Sequence, residues 1–161
     1  MSQTTQLSNN RRADRLADIL RSEPTSARAD KVFAALRVVA GLSLAINFGL
    51  LSKVPVPEWF ISDIREHMWY LPFPVFWAWA ATLAEVVGGF LLAFGLFTRP
   101  AAFFIICTMI GAATFQLTVS GNWWNAMASM VYFSVATFHL MLGSGRYGLD
   151  AKLIGWLERR S

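Results

Sequence analysis

Residues 78–97 read AWAATLAEVVGGFLLAFGLF, and this stretch decides the fold. It is as long as a helix that crosses the roughly 30 Å hydrocarbon core of a bilayer, which takes about 20 apolar residues. Near its middle stands its one ionisable side chain, Glu85. A carboxyl at that depth costs several kcal/mol to insert, so such a residue faces a bundle interior and acts there.

Working outward, three further apolar runs accompany it, giving Phe33–Leu51, Val75–Phe97, Ala101–Val119 and Trp124–Leu142. The chain has 161 residues, 55% hydrophobic and only 15% charged. The four runs lack the polar face that a helix in a soluble domain carries. The expected class is therefore all-α, an integral membrane four-helix bundle forming a single domain. Residues 1–31 are expected as a basic, partly disordered cytoplasmic segment, 32–145 as the four-span domain and 146–161 as a cytoplasmic amphipathic tail.

The first 31 residues contain no apolar core of a secretory signal, which predicts retention in the membrane. Orientation follows from the short flanks. Arg11, Arg12, Arg15, Arg21, Arg28, Lys31, Arg99, Arg146, Lys152, Arg159 and Arg160 fall on one side, and only Lys53 and Arg65 on the other. Both termini are expected to be cytoplasmic, in a multi-pass protein of the plasma (inner) membrane. The net charge of +4 then reflects topology and attraction to anionic lipid, and no nucleic-acid partner is expected. The single cysteine, Cys107, excludes an internal disulfide or a Cys-x-x-Cys centre.

The connections carry their own signals. RRADRLADILR (11–21) fits a short helix on the headgroups or a frayed basic tail, and LDAKLIGWLERR (149–160) fits a surface helix with Leu149, Leu153, Ile154 and Leu157 on one stripe. The first outer loop, about 52–74, is long and rich in proline and aromatics. Its Trp59, Phe60, Trp69 and Tyr70, with Trp77, Trp79, Trp123 and Trp124, suit an interfacial belt, and a ligand lid is the alternative.

Helical spacing divides each span into stripes. Ala81, Glu85, Gly88, Leu92, Gly95 and Arg99 share a face of small residues, where a neighbouring backbone can come close. The first span offers Arg37, Gly41 and Phe48 with Asn47 beside them; the third offers Cys107, Gly111, Thr114 and Thr118. The fourth offers Ser129, Tyr132, Ala136 and His139. Counting about 1.5 Å per residue places Asn47, Glu85, Thr114 and Ser129 at one level, roughly 20 Å from the cytoplasmic boundary. Arg37 and His139 match within about 10 Å of that boundary.

A carboxyl out of water favours its protonated, hydrogen-bonding form, for which Asn47, Thr114, Ser129 and Tyr132 are candidate partners. That layer is either a polar clamp between helices or a site for a lipid-soluble ligand with a polar head, with Glu85 exchanging a proton. Arg37 either snorkels to water or turns inward towards His139. His139 has no second histidine or carboxylate at metal-ligand spacing.

RVVAGLSLAINFGLLSK (37–53, with Gly41, Gly49 and Lys53), AEVVGGFLLAFGLFTRPAA (84–102, with Glu85, Gly88, Gly89, Gly95 and Arg99) and GSGRYGLD (143–150, with Asp150) together resemble the DoxX family. The resemblance extends to the DoxD-type small subunit of thiosulfate:quinone oxidoreductase. It covers about residues 33–150 and is most specific in E-x-x-G-G-x-x-L-x-x-G-x-x-T-R. The first motif departs from the family pattern, with Phe48 before the glycine and an extra residue before Lys53. The resemblance implies a quinone-bearing membrane context and membership of a quinone-linked oxidoreductase system, with a soluble redox partner on the cytoplasmic side and a homo-oligomer both compatible. The chain shows no haem, flavin or metal motif, so a partner or the quinone carries any electrons. A non-catalytic anchor recruiting a soluble partner is the alternative. Small-solute transport comes third, because four spans provide little architecture for alternating access.

Overall fold

The computed structural model describes residues 27–68, 70–121 and 123–157. The expectations for residues 1–26, for Trp69 and for Arg159 and Arg160 fall outside these. Every described element is helical. The helices are α1 (Ala27–Ser43), α2 (Glu58–His67), α3 (Pro74–Phe94), α4 (Thr98–Thr118), α5 (Trp123–Leu142) and α6 (Leu149–Leu157). Four of them are long and apolar enough to cross a membrane: Arg28–Lys53, Pro74–Phe94, Thr98–Thr118 and Trp123–Leu142.

The first span does not remain α-helical. After Ser43 it widens into a π-helical segment, Leu44–Leu50, before a last α-turn at Leu51–Lys53. The Leu51 amide donates to Ile46 O, five residues back, the hydrogen-bond spacing of a π-turn. A wider turn absorbs one more residue without moving the backbone that follows out of register.

The second span stops at Phe94, three residues before its apolar run ends. Gly95 takes a left-handed φ of 68° there, with Leu96 N–H on Leu91 O and Gly95 N–H on Leu92 O. This is the Schellman stop, in which a glycine reverses the chain and satisfies the last carbonyls.

The long first loop contains a helix. In α2, Glu58 lies in the first turn and Arg65 and His67 in the last, matching the helix dipole. Its Ile61 and Ile64 are buried against Ala78 at the start of α3, with Val56, Phe60 and Met68 packed around them. At its far end the His67 ring meets Phe115 of α4 edge-on, with centroids 5.6 Å apart.

The main core joins all four spans through Leu44, Leu92, Ala102, Ile105, Met109 and Ala136. Between α1 and α3 there is almost no side-chain layer. A Cβ on Gly41 would lie 2.6 Å from Gly89 O, and one on Gly89 would lie 2.8 Å from Gly41 O. In lipid, where apolar contact alone gives no preference for protein over solvent, such backbone proximity drives helix association. Outward, Val39, Leu83, Val87, Phe104, Val131 and Phe138 are exposed, an apolar girdle suited to acyl chains. The chain is a multi-pass membrane protein.

Candidate functional site

Glu85 is 1% exposed on the inner face of α3. Its partner is Lys53, which the end of the first span carries across to it. Lys53 Nζ lies 2.6 Å from both Oε1 and Oε2. These are short, charge-assisted hydrogen bonds. The pair is net neutral, which makes a carboxylate tolerable inside the span. The two partners are not equally covered: the Lys53 side chain is 14% exposed and that of Glu85 2%. Above the ammonium, the Phe60 ring of α2 has its centroid 4.9 Å from Nζ. One turn before Glu85, Thr82 is buried and donates to Ala78 O at 2.8 Å.

The other residues expected at this level separate. Asn47 is exposed and donates to Ser43 Oγ at 3.3 Å. Thr114 is exposed and donates to Ile110 O on its own helix at 2.8 Å. Ser129 is buried on α5. Tyr132 bonds with Ser43, OH to Oγ at 2.8 Å, and takes the edge of Phe48 at 5.3 Å between centroids. Counting residues along a span fixes height alone, and each helix's rotation fixes where a side chain points.

A second polar node lies at the C-terminal end of α3, about 15 Å from Glu85 along the helix axis. Arg37 is 2% exposed and turned inward. It donates to Ser144 O and, at 3.5 Å, to Tyr147 O in the segment after α5. Glycine makes the space: a Cβ on Gly95 would lie 2.6 Å from Arg37 Nη1. Asp150 closes the node. Its carboxylate accepts from Phe97 N–H at 2.8 Å, Thr98 N–H at 3.0 Å and the Thr98 hydroxyl at 2.8 Å, and its own N–H donates to Gly95 O at 2.9 Å. A carboxylate there satisfies the free amides at the start of α4 and complements the helix dipole.

His139, fully buried, stacks on Phe33 with centroids 4.4 Å apart, and its Nδ1 donates to Val135 O at 2.8 Å. Arg37 Nε and His139 Nε2 have no hydrogen-bond partner among the described residues. Among the motif residues, Gly88 packs on Ile105, and Arg99 is exposed with its Nε 3.8 Å from where a Gly143 Cβ would stand.

Sequence reasoning placed Lys53 among the flanking charges and within a family motif, and did not join it to Glu85. The available signal was the need of a buried carboxylate for a counter-charge. Lys53 is the lysine that follows directly on a span. Phe60 was missed as a neighbour of Lys53 and Thr82 as one of Glu85; Thr82, three residues before it, was recoverable from helical spacing.

The fold and these two nodes define a class: a small four-span membrane protein with a buried ion pair among its helices and a polar clasp at one end. Within that class, the chain belongs to the DoxX family, whose profile matches residues 32–142. No curated protein and no solved structure is significantly similar to it.

Proposed function

We propose that the chain is the membrane subunit of a quinone-linked oxidoreductase system, with the Lys53–Glu85 pair at the quinone headgroup. The observation that carries this reading is a carboxylate buried within a membrane span, paired at 2.6 Å to a lysine that is the more open of the two. These residues fit the group. An ammonium has three N–H donors, and its two carboxylate contacts leave one for a carbonyl oxygen. A bound quinone supplies two-electron chemistry coupled to the uptake of two protons. Lys53 orients a carbonyl oxygen by donating to it. Glu85 would take up protons from water on the partly open Lys53 side and pass them to that oxygen as the ring is reduced. Electrons come from a redox partner, expected on the cytoplasmic side. A solvent extract of the purified protein tests the reading: quinone near one per chain in the wild type and lost in Glu85→Ala supports it, and none in either contradicts it.

The clasp favours a second reading, that of an anchor. Arg37 and Asp150 fix the segment leading into α6 against the bundle, which would present the C-terminal helix to a soluble partner at a fixed position. Loss of a co-purifying protein on removal of residues 150–161, with the quinone content unchanged, would favour it.

A further inference from the structure

We infer that α2 is the lid of the Lys53–Glu85 site, and that its Phe60 ring stands where a ligand's own ring binds. This inference rests on the function proposed above.

Three observations carry it. The first is the asymmetry of bonding around Lys53. The ammonium meets two carboxylate oxygens at 2.6 Å, and its other contact among the described residues is the Phe60 ring, 4.9 Å from its centroid. A ring face within about 6 Å attracts a cation but is a weaker partner than an oxygen acceptor. A planar conjugated ring with a carbonyl oxygen at its edge offers both, an acceptor for the third N–H and a flat apolar body for the space Phe60 fills.

The second is the direction of access. Lys53 is 14% exposed and Glu85 2%, so a ligand reaching the carboxylate passes the lysine and its ring cover first. Trp59, 53% exposed, lies against Phe60 with centroids 5.7 Å apart and extends the aromatic surface outward.

The third is how α2 is attached. Ile61 and Ile64 sit on Ala78 in a small cluster separate from the four-span core. Residues 54–57 and 70–73 on its two sides are non-helical. A short helix held by a satellite cluster and one edge-on ring contact, His67 on Phe115, opens at lower free energy than a span does.

Phe60 is therefore a specificity-determining residue. Its ring competes with the ligand, and the ligand that displaces it is a planar, carbonyl-bearing ring of benzoquinone type, not an aliphatic solute. The test is calorimetric titration of a short-tailed benzoquinone into the full-length protein in nanodiscs, comparing wild type, Phe60→Leu, Phe60→Trp and Glu85→Gln. Leucine keeps apolar volume against Ile61 and Ile64 but has no ring face, so binding should tighten about three- to tenfold; tryptophan, the better cation–π partner, should weaken it similarly. Phe60→Met replaces Phe60→Leu if thermal unfolding shows the leucine variant to be misfolded. Weaker binding in Phe60→Leu would make the ring a stacking partner and overturn the lid. Unchanged affinity in both Phe60 variants, with binding lost in Glu85→Gln, would overturn the lid alone and leave the quinone site standing. No binding to wild type or Phe60→Leu would remove the quinone reading and the lid together.

Discussion

Lys53 and Glu85 stand 32 positions apart in sequence, yet Lys53 Nζ reaches both oxygens of the Glu85 carboxylate at 2.6 Å. A π-helical segment lies just before Lys53 in the first span. It widens the helix over Leu44–Leu50, while Leu44 and Ala45 remain buried and Gly49 stays against α3. The chain thereby meets two demands at once, close backbone packing of two spans and delivery of a cation to a buried anion.

The pair should be costly to break and cheap to replace. Lys53→Met or Glu85→Leu alone leaves one buried charge without its partner, a loss of about 3–5 kcal/mol. The double variant Lys53→Met/Glu85→Leu removes both charges and should recover most of that stability. Thermal unfolding in detergent checks this, and a double variant as unstable as the worse single one would contradict a direct pair.

At Gly41, any side chain meets backbone. Gly41→Val places methyl groups where Gly89 O and Ala93 already stand, and overpacking of this kind costs about 1–3 kcal/mol. The expected readout is a lower unfolding temperature together with wider separation of the two spans. Gly111, which has nothing within 4 Å of a built Cβ, provides the control, and Gly111→Ala should be nearly silent.

The Asp150 carboxylate makes three hydrogen bonds to Phe97 and Thr98. Asp150→Ala should destabilise the protein by about 1–3 kcal/mol, since bonds to a charged group are removed, and Asp150→Asn by less because one oxygen acceptor remains. Limited proteolysis should cut the segment after α5 faster in Asp150→Ala. Equal cutting in Asp150→Ala and the wild type would show that the clasp does not restrain it.

Much of this was legible in the sequence, and the reasons for the exceptions are physical. Four spans follow from apolar length, and the packing face of α3 follows from the spacing of Glu85, Gly88, Leu92 and Gly95. The inward Arg37 was one of two readings of a cation near a span end, and the glycines that open space for it lie on another span and in a distant turn. The α2 helix was hidden because ten residues bounded by prolines and aromatics resemble an interfacial loop. The level of Asn47, Thr114 and Ser129 was counted with an α-helical rise, which carries no information on rotation. Asn47 and Thr114 turn out of the bundle, and Asn47 lies within the π-segment itself.

Orientation is open to direct measurement. In a Cys107→Ser background, Ser8→Cys and Ser161→Cys should resist a membrane-impermeant maleimide added outside intact cells, and Ser120→Cys should react. This is the pattern expected from basic flanks held on the cytoplasmic side. Labelling at the termini with none at position 120 would reverse it.

On the proposed function, Glu85 exchanges a proton with a quinone held at Lys53. The most direct measurement is the infrared difference spectrum of the purified, quinone-loaded protein between its electrochemically oxidised and reduced states. The expected result is a carboxyl C=O band that changes on reduction in the wild type and is missing in Glu85→Gln. A redox-linked carboxyl band that persists in Glu85→Gln, or no such band in the wild type, would contradict it.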